Sequence, residues 1–193
     1  ILMSKLMVPE TEQPQTSGAA RVSVKVDSHN VFDAITRGTN QGLQMALAVG
    51  AMVLVFVALI ALLDIILQGI TGYAFVELLG IAFRPVAYLL GAPPEDARIL
   101  GQLLGKKTVV NEFLAYLDFQ QALEAGQLSP RGALIATYAL CGFANPGSIG
   151  VMIAGLDVLI PERRAEVTQL SIKAFIGGTL ACFSTACVAG ILA

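Results

Sequence analysis

Two short polar groups interrupt otherwise apolar stretches of the sequence, and their side chains are suited to binding a sugar. Asn111 and Glu112 form the first group, and Asn145 and Ser148 belong to the second. A carboxylate can accept hydrogen bonds from two adjacent hydroxyls, and an asparagine amide can both donate and accept. Phe143 would add an apolar wall, or would pack against a neighbouring helix. Together these residues predict a polar pocket that binds a sugar diol.

The same residues also have a purely structural interpretation. A carboxylate within a membrane costs about 2.5 to 3.5 kcal/mol on insertion scales, so Glu112 needs a compensating partner or a function. Lys106 or Lys107 would neutralise it as an internal ion pair. Asn145 would then mark only a helix kink, with Ser148 capping the helix that follows. The sequence leaves both interpretations open.

The composition is typical of an integral membrane protein and excludes several function classes. Of 193 residues, 55% are apolar and 13% are charged, against about 25% charged in soluble domains. The single histidine, His29, lies in the polar N-terminal region, so the apolar part holds no Ser/His/Asp triad and no His-ligated metal, and we expect no enzyme. The cysteines Cys141, Cys182 and Cys187 have no disulfide or zinc spacing. A net charge of -2 leaves no basic surface for nucleic acid.

The predicted fold is all-α, with transmembrane helices, one re-entrant hairpin and one broken helix. Residues 1–41 are predicted to be a polar linker and an amphipathic interfacial helix, and residues 42–193 to be a membrane transport domain. Long uncharged runs are sufficient to cross a hydrocarbon core of about 30 Å. In chain order, the predicted elements of the domain are a span at 42–69, an interfacial helix at 73–91, a re-entrant hairpin at 94–123, a broken span at 131–160 and a span at 165–193.

The hairpin and the broken span would place the polar residues near the middle of the membrane. The two hairpin arms have about 11 or 12 residues each, enough for half of the core, and residues 108–111 between them are weakly helical. The sequence Asn-Pro-Gly-Ser at 145–148 interrupts the next span at its centre. Broken helices that present backbone groups to a polar ligand are typical of secondary transporters with inverted repeats.

The first seven residues are typical of the last turns of an apolar helix. Residues 1–7 carry leucine and methionine pairs four positions apart, without an initiator methionine or a signal-peptide pattern. We therefore expect the chain to belong to a longer protein.

Two motifs resemble those of the concentrative nucleoside transporter family. Residues 105–116, GKKTVVNEFLAY, are similar to the family signature G-x-K-x-x-x-N-E-F-V-A-Y and depart from it only at Leu114. Residues 139–150, ALCGFANPGSIG, are similar to the family's broken-helix motif, although Pro146 and Gly147 differ from the residues commonly present there. Residues 9–12 and 38–42 resemble the approach to the family's sixth transmembrane helix, so the resemblance covers essentially the whole chain.

The resemblance implies the C-terminal half of a cation-coupled symporter that takes up nucleosides. Glu112, Asn145 and Ser148 would bind the ribose, Phe143 would line the same site, and Asn111 beside Glu112 completes the candidate substrate-binding residues. As a half of an inverted-repeat fold, the chain would hold only the ribose side of the pocket.

The resemblance also implies the location of the protein, its partners and its coupling ion. It would be a multi-pass protein of the plasma (inner) membrane whose partners are a nucleoside, the lipid bilayer and further copies of itself in a homotrimer, with no nucleic acid. No cofactor is expected, and the site of the coupling ion, Na+ or H+, would lie outside this chain. The alternative function is a membrane channel or a non-transporting helical scaffold subunit.

Overall fold

The computed structural model describes residues 1–11 and 29–192, and the secondary structure of these residues is helical. Most of the predicted polar linker lies outside the described residues. The helices are α1 (Leu2–Met7), α2 (Val31–Thr71), α3 (Phe75–Leu89), α4 (Ala97–Val109), α5 (Glu112–Glu124), α6 (Pro130–Leu140), α7 (Pro146–Leu159) and α8 (Arg164–Leu192), with a short 3-10 turn at Pro161–Arg163 before α8.

Two helical segments of the described residues are long and apolar enough to cross a membrane. They are α2 and Pro161–Leu192, which consists of the 3-10 turn and α8. Asn30 caps the start of α2, because its side chain accepts a hydrogen bond from the Asp33 backbone N–H at 2.8 Å. Gly72 caps its end and adopts a left-handed conformation with φ 76° that glycine reaches without steric cost. The 41 residues of α2 extend continuously from the predicted interfacial segment through the predicted span at 42–69.

Helices α4 and α5 are antiparallel arms joined at Val110 and Asn111, which gives the hairpin a very short tip. The Lys106 Nζ donates to the Asp118 carboxylate at 2.5 Å and so connects the two arms. Helix α6 ends at Leu140 and α7 begins at Pro146, which leaves a break of a few residues between two short helices.

The base of the hairpin is attached to the start of α6 by a buried carboxylate. Asp96 accepts hydrogen bonds from the backbone N–H and the hydroxyl of Ser129, at 3.1 and 2.5 Å. Ser129 in turn caps α6, because its hydroxyl accepts from the Gly132 N–H at 3.1 Å. The main apolar core lies between this hairpin base, α3, α6 and α8. The hairpin is therefore packed on one side against the first half of the broken helix.

Close contact between α3 and α4 depends on glycines. A Cβ atom added to Gly101 would lie 2.6 Å from the Gly80 carbonyl oxygen and 3.0 Å from the Arg84 backbone nitrogen. One turn later, a Cβ on Gly105 would lie 2.6 Å from the Leu79 Cβ. Small residues at four-residue spacing allow helix backbones in a membrane to approach each other closely.

The substitution Gly101→Ala is therefore expected to destabilise the protein, because the added methyl group meets backbone atoms that cannot rotate away. Overpacking of this kind costs about 1 to 3 kcal/mol. We expect a lower thermal unfolding midpoint for the purified complete protein in detergent. Gly69→Ala is the matched control, since no atom lies within 4 Å of its added Cβ. Equal unfolding midpoints for the two variants would contradict the close packing of α3 on α4.

Candidate functional site

The hairpin tip places Glu112 through the capping of α5. Asn111 has an extended backbone (φ -168°, ψ 164°), and its Oδ1 accepts a hydrogen bond from the Leu114 N–H at 2.8 Å. Asparagine is among the preferred N-cap residues because its side chain satisfies a backbone N–H that has no partner within the helix. Glu112 is therefore the first helical residue of α5, close to the positive end of the helix dipole, where a carboxylate is stabilised.

The helix break places Asn145 and Ser148 through a second, reciprocal cap. The Asn145 Oδ1 accepts from the Ser148 N–H at 2.8 Å, and the Asn145 N–H donates to the Ser148 hydroxyl oxygen at 3.1 Å. The Ser148 hydroxyl itself donates to the Asn145 carbonyl at 2.7 Å. Pro146 occupies the first turn of α7, where its missing N–H is no disadvantage. The capping role that the sequence offered as an alternative for Ser148 is thus present in the structure.

One hydrogen bond joins the hairpin tip to the helix break. The Asn145 Nδ2 donates to the Glu112 Oε2 at 3.0 Å, between residues that are 33 positions apart in the chain. Asn145 is almost fully buried, with 2% of its surface exposed, and Glu112 is half-buried. Within the described part of the chain, the second carboxylate oxygen, Oε1, accepts no hydrogen bond. The two polar groups found in the sequence therefore meet at one place.

Phe143 lies beside Ser148 at a cavity that Glu112 does not line. Its side chain is 58% exposed and lines a cavity of about 210 Å³ that it shares with Ser148, Ser171 and Phe175. Glu112 is not among the residues that line this cavity. A larger cavity of about 660 Å³ lies between α1 and α8 and holds none of the candidate site residues. The structure thus connects Glu112, Asn145 and Ser148 through hydrogen bonds, and brings Phe143 only to Ser148.

The ion pair between Glu112 and a hairpin lysine, the structural alternative from the sequence, is absent from the described residues. Lys106 pairs with Asp118 instead, and among the described residues Glu112 forms no salt bridge with either lysine of the hairpin. The two lysines lie about 100° apart around α4, so only one of them can face the other arm directly.

Two further residues near the site were not among the predicted substrate-binding residues. The Tyr116 hydroxyl donates to the Thr137 carbonyl at 2.8 Å, which ties α5 to α6 between the base and the tip of the hairpin. Lys107 is completely buried below the tip. Both residues lie in the signature-like stretch 105–116, and the sequence offered Lys107 only as an ion-pair partner of Glu112. No group of three or more His, Cys, Asp or Glu side chains that could hold a metal ion is present in the described ranges.

Comparison with known proteins gives matches along the whole chain. A family model described as "Na+ dependent nucleoside transporter C-terminus" matches residues 1–190. The uncharacterized transporter YutK of Bacillus subtilis is 41% identical over 201 residues, with 99% of this chain and 48% of that protein covered. The nucleoside permease NupC of Helicobacter pylori is 35% identical, with 99% and 47% covered.

The solved structures agree with these matches. A variant of CNTnw in an outward-facing state is 42% identical, with a TM-score of 0.81, and the match covers 98% of this chain and 46% of that chain. The likeness confirms the predicted all-α membrane transporter fold, and relatives named as transporters and permeases confirm that the chain is not an enzyme. The chain spans about half the length of the curated relatives it matches.

Proposed function

Because the chain belongs to the Na+-dependent nucleoside transporter family, we propose that the complete protein is a cation-coupled symporter that brings nucleosides into the cell, and that this chain supplies the ribose-binding half. Family membership confirms the resemblance that the two motifs predicted. The observation that supports a ribose site here is the hydrogen bond between Asn145 and Glu112, which joins the hairpin tip to the helix break.

The groups at this junction match the chemistry of a vicinal diol. The carboxylate of Glu112 can accept from both hydroxyls of a ribose, through Oε1 and the remaining lone pair of Oε2. The Asn145 amide has a second N–H, besides the one donated to Glu112, for a ribose oxygen. Ser148 uses its hydroxyl proton within the cap but retains a lone pair that can accept. Asn111 contributes an amide beside the carboxylate, and Phe143 an apolar wall toward the cavity.

The remaining parts of the proposal concern the complete protein. Helices α2 and α8 would cross the bilayer, and the hairpin and the broken helix would hold the site at depth. The coupling cation, Na+ or a proton, would bind outside this chain. The complete protein would assemble as a homotrimer.

The experiment is uptake of labelled uridine into transport-deficient cells that express the complete protein. We expect saturable uptake that requires an inward Na+ or proton gradient and is inhibited by unlabelled uridine. Because the proposed site recognises the diol, 2′,3′-dideoxyuridine should inhibit at least about 10-fold less well.

Two outcomes would contradict the proposal. Equal inhibition by uridine and by the dideoxy compound would place the ribose elsewhere. Ion currents without saturable uptake, in cells where the protein reaches the surface, would favour the channel alternative.

A further inference from the structure

A small cleft between α3 and α4 carries two arginine side chains. Its volume is about 180 Å³, and Arg84 of α3 and Arg98 of α4 both line it. A Cβ added to Gly80, which also lies at the cleft, would be 2.5 Å from the Gln102 Cγ, so the two helices are in direct contact here. This arginine cleft is lined by the side chains of Tyr73, Glu77, Ile81, Arg84, Arg98 and Gln102.

Neither arginine has a carboxylate partner within the described ranges. Arg84 instead donates to the Tyr88 hydroxyl at 3.4 Å, with its guanidinium carbon 5.9 Å from the centre of the Tyr88 ring. Both arginines are exposed, so their guanidinium groups are accessible to an anion. The basic side chains of these ranges that do form salt bridges are Lys5, Arg37, Lys106, Arg163 and Arg164.

Glu77 is the carboxylate among the residues that line the cleft. It accepts a hydrogen bond from the Ala74 N–H at 3.1 Å and so contributes to the cap of α3. It forms no salt bridge with Arg84 or Arg98 in the part of the chain that the structure describes. Two arginines and one glutamate give the cleft a net charge of +1. A ligand with a single negative charge would neutralise it.

Apolar side chains beside the arginines face the surroundings of the protein. Ile81, which lines the cleft, is 69% exposed, and Leu89 at the end of α3 is 82% exposed. Helix α2 is long and apolar enough to cross a membrane, and it ends at Thr71, shortly before Tyr73. Tyrosine is enriched at the boundary between hydrocarbon and water, where helices that combine arginine with apolar side chains also lie. The cleft therefore has the composition of a site at the membrane surface.

We propose that the arginine cleft binds the phosphodiester headgroup of an anionic phospholipid. Arg84 and Arg98 bind the phosphate oxygens, because a planar guanidinium group matches the spacing of two oxygens of a phosphate. Basic pockets between membrane helices are typical sites for such headgroups. Free phosphate has the same oxygens but no acyl chains, and the exposed Ile81 beside the arginines favours the lipid.

The bound headgroup would connect α3 to the base of the hairpin. Arg84 belongs to α3 and Arg98 to the first turn of α4, so one phosphate held by both bridges the two helices. The inference rests on the membrane fold and not on the proposed function, since none of the candidate ribose-binding residues lines the cleft.

The test measures lipid binding to the purified complete protein in a neutral detergent by native mass spectrometry. Titrations with dioleoylphosphatidylglycerol and with dioleoylphosphatidylcholine give the dissociation constant of the first lipid bound per chain. We expect the anionic lipid to bind at least about tenfold more tightly, because each basic side chain contributes about a fivefold gain in affinity for an anionic lipid. Arg84→Gln and Arg98→Gln should each weaken the binding of phosphatidylglycerol about fivefold and leave that of phosphatidylcholine unchanged.

Two matched variants test the charge of the cleft. Glu77→Gln removes the carboxylate but keeps an oxygen for the Ala74 N–H, so it should bind phosphatidylglycerol at least about twofold more tightly. A gain in affinity cannot result from a loss of folding, so this variant decides the question if an arginine variant does not fold. Arg163→Gln removes the same charge outside the cleft, at a residue paired with Glu166, and its affinity should stay within about twofold of wild type.

Equal affinity of the wild-type protein for the two lipids, or wild-type affinity in both arginine variants, would overturn the proposal. Weaker binding in Glu77→Gln would do the same. If Arg163→Gln lost as much affinity as the arginine variants of the cleft, the effect would be that of net charge alone and the cleft would not be the site. Competition by inorganic phosphate as strong as that by phosphatidylglycerol would assign the cleft to free phosphate and reject the lipid.

Discussion

Replacing Glu112 by glutamine is expected to weaken uridine binding about 100-fold and to abolish measurable uptake. Glutamine has the same size, and its side-chain oxygen can still accept from the Asn145 Nδ2, so the junction between hairpin and helix break should persist. The charge is lost, however, and the NH2 group that takes the place of Oε1 cannot accept a hydrogen bond, so one bond to the diol loses its acceptor and the other becomes a neutral bond, at a combined cost of about 3 kcal/mol. About 1.4 kcal/mol corresponds to a tenfold change in affinity.

The matched control is Glu124→Gln at the other end of α5. Glu124 accepts a hydrogen bond from the Gln120 Nε2 at 2.9 Å and is exposed. Glu124→Gln therefore makes the same chemical change outside the site. We expect its uridine affinity to stay within about twofold of wild type. Uptake by Glu112→Gln at the wild-type rate, with equal amounts of protein at the cell surface, would eliminate the proposed role of Glu112.

The substitution Asn145→Asp is expected to weaken uridine binding to a similar extent while the helix break remains capped. An aspartate can still accept from the Ser148 N–H, but it replaces the Nδ2 donor by an oxygen about 3.0 Å from the Glu112 Oε2. Two carboxylates at this separation cannot both be ionised without a large cost. If Glu112 takes up a proton or the hairpin tip moves away, the diol loses an acceptor. If the new carboxyl group takes up the proton, the diol loses the second N–H of the Asn145 amide.

A second substitution at the same position separates the cap from the contact. Asn145→Ala loses the cap as well, so its free energy of unfolding should be about 1 kcal/mol lower than that of Asn145→Asp. The measurement is the thermal unfolding midpoint, which should be lower for Asn145→Ala. Asn30→Asp is the control, because Asn30 caps α2 in the same way at an exposed site, where Asn and Asp are equivalent. Wild-type uridine affinity in Asn145→Asp would contradict the contact between Asn145 and Glu112 as part of the binding site.

Several features of the site could be predicted because they depend on local sequence. Helix α5 begins after Asn111 and α7 begins after Asn145 because each asparagine can cap the helix that follows, and Pro146 reinforces the second start. Two polar interruptions of apolar sequence, at similar depth in the membrane, were enough to predict that Glu112 and Asn145 lie close together. The hydrogen bond between their side chains agrees with this prediction.

The partners of the charged residues could not be predicted, since several choices were within reach. Lys106 and Lys107 are adjacent, and the rotation of α4 about its axis decides which of them meets Asp118 and which is buried. That rotation is fixed by the contact of Gly101 and Gly105 with α3. The apolar pattern of α3 does not reveal this contact, because lipid tails and a packed helix are equally apolar surroundings.

The attachments along the hairpin also restrict how this part of the molecule can move. The hairpin is bonded to the α6 region at its base by Asp96 and Ser129, between base and tip by Tyr116, and at its tip by Glu112 and Asn145. Because these hydrogen bonds lie at three places along its length, the hairpin cannot tilt away from the α6 region without breaking at least one of them. A displacement of the hairpin that leaves α6 in place therefore costs hydrogen bonds, whereas a movement of the two together keeps them. In the proposed transporter, surfaces that slide past each other would accordingly lie outside the hairpin and α6.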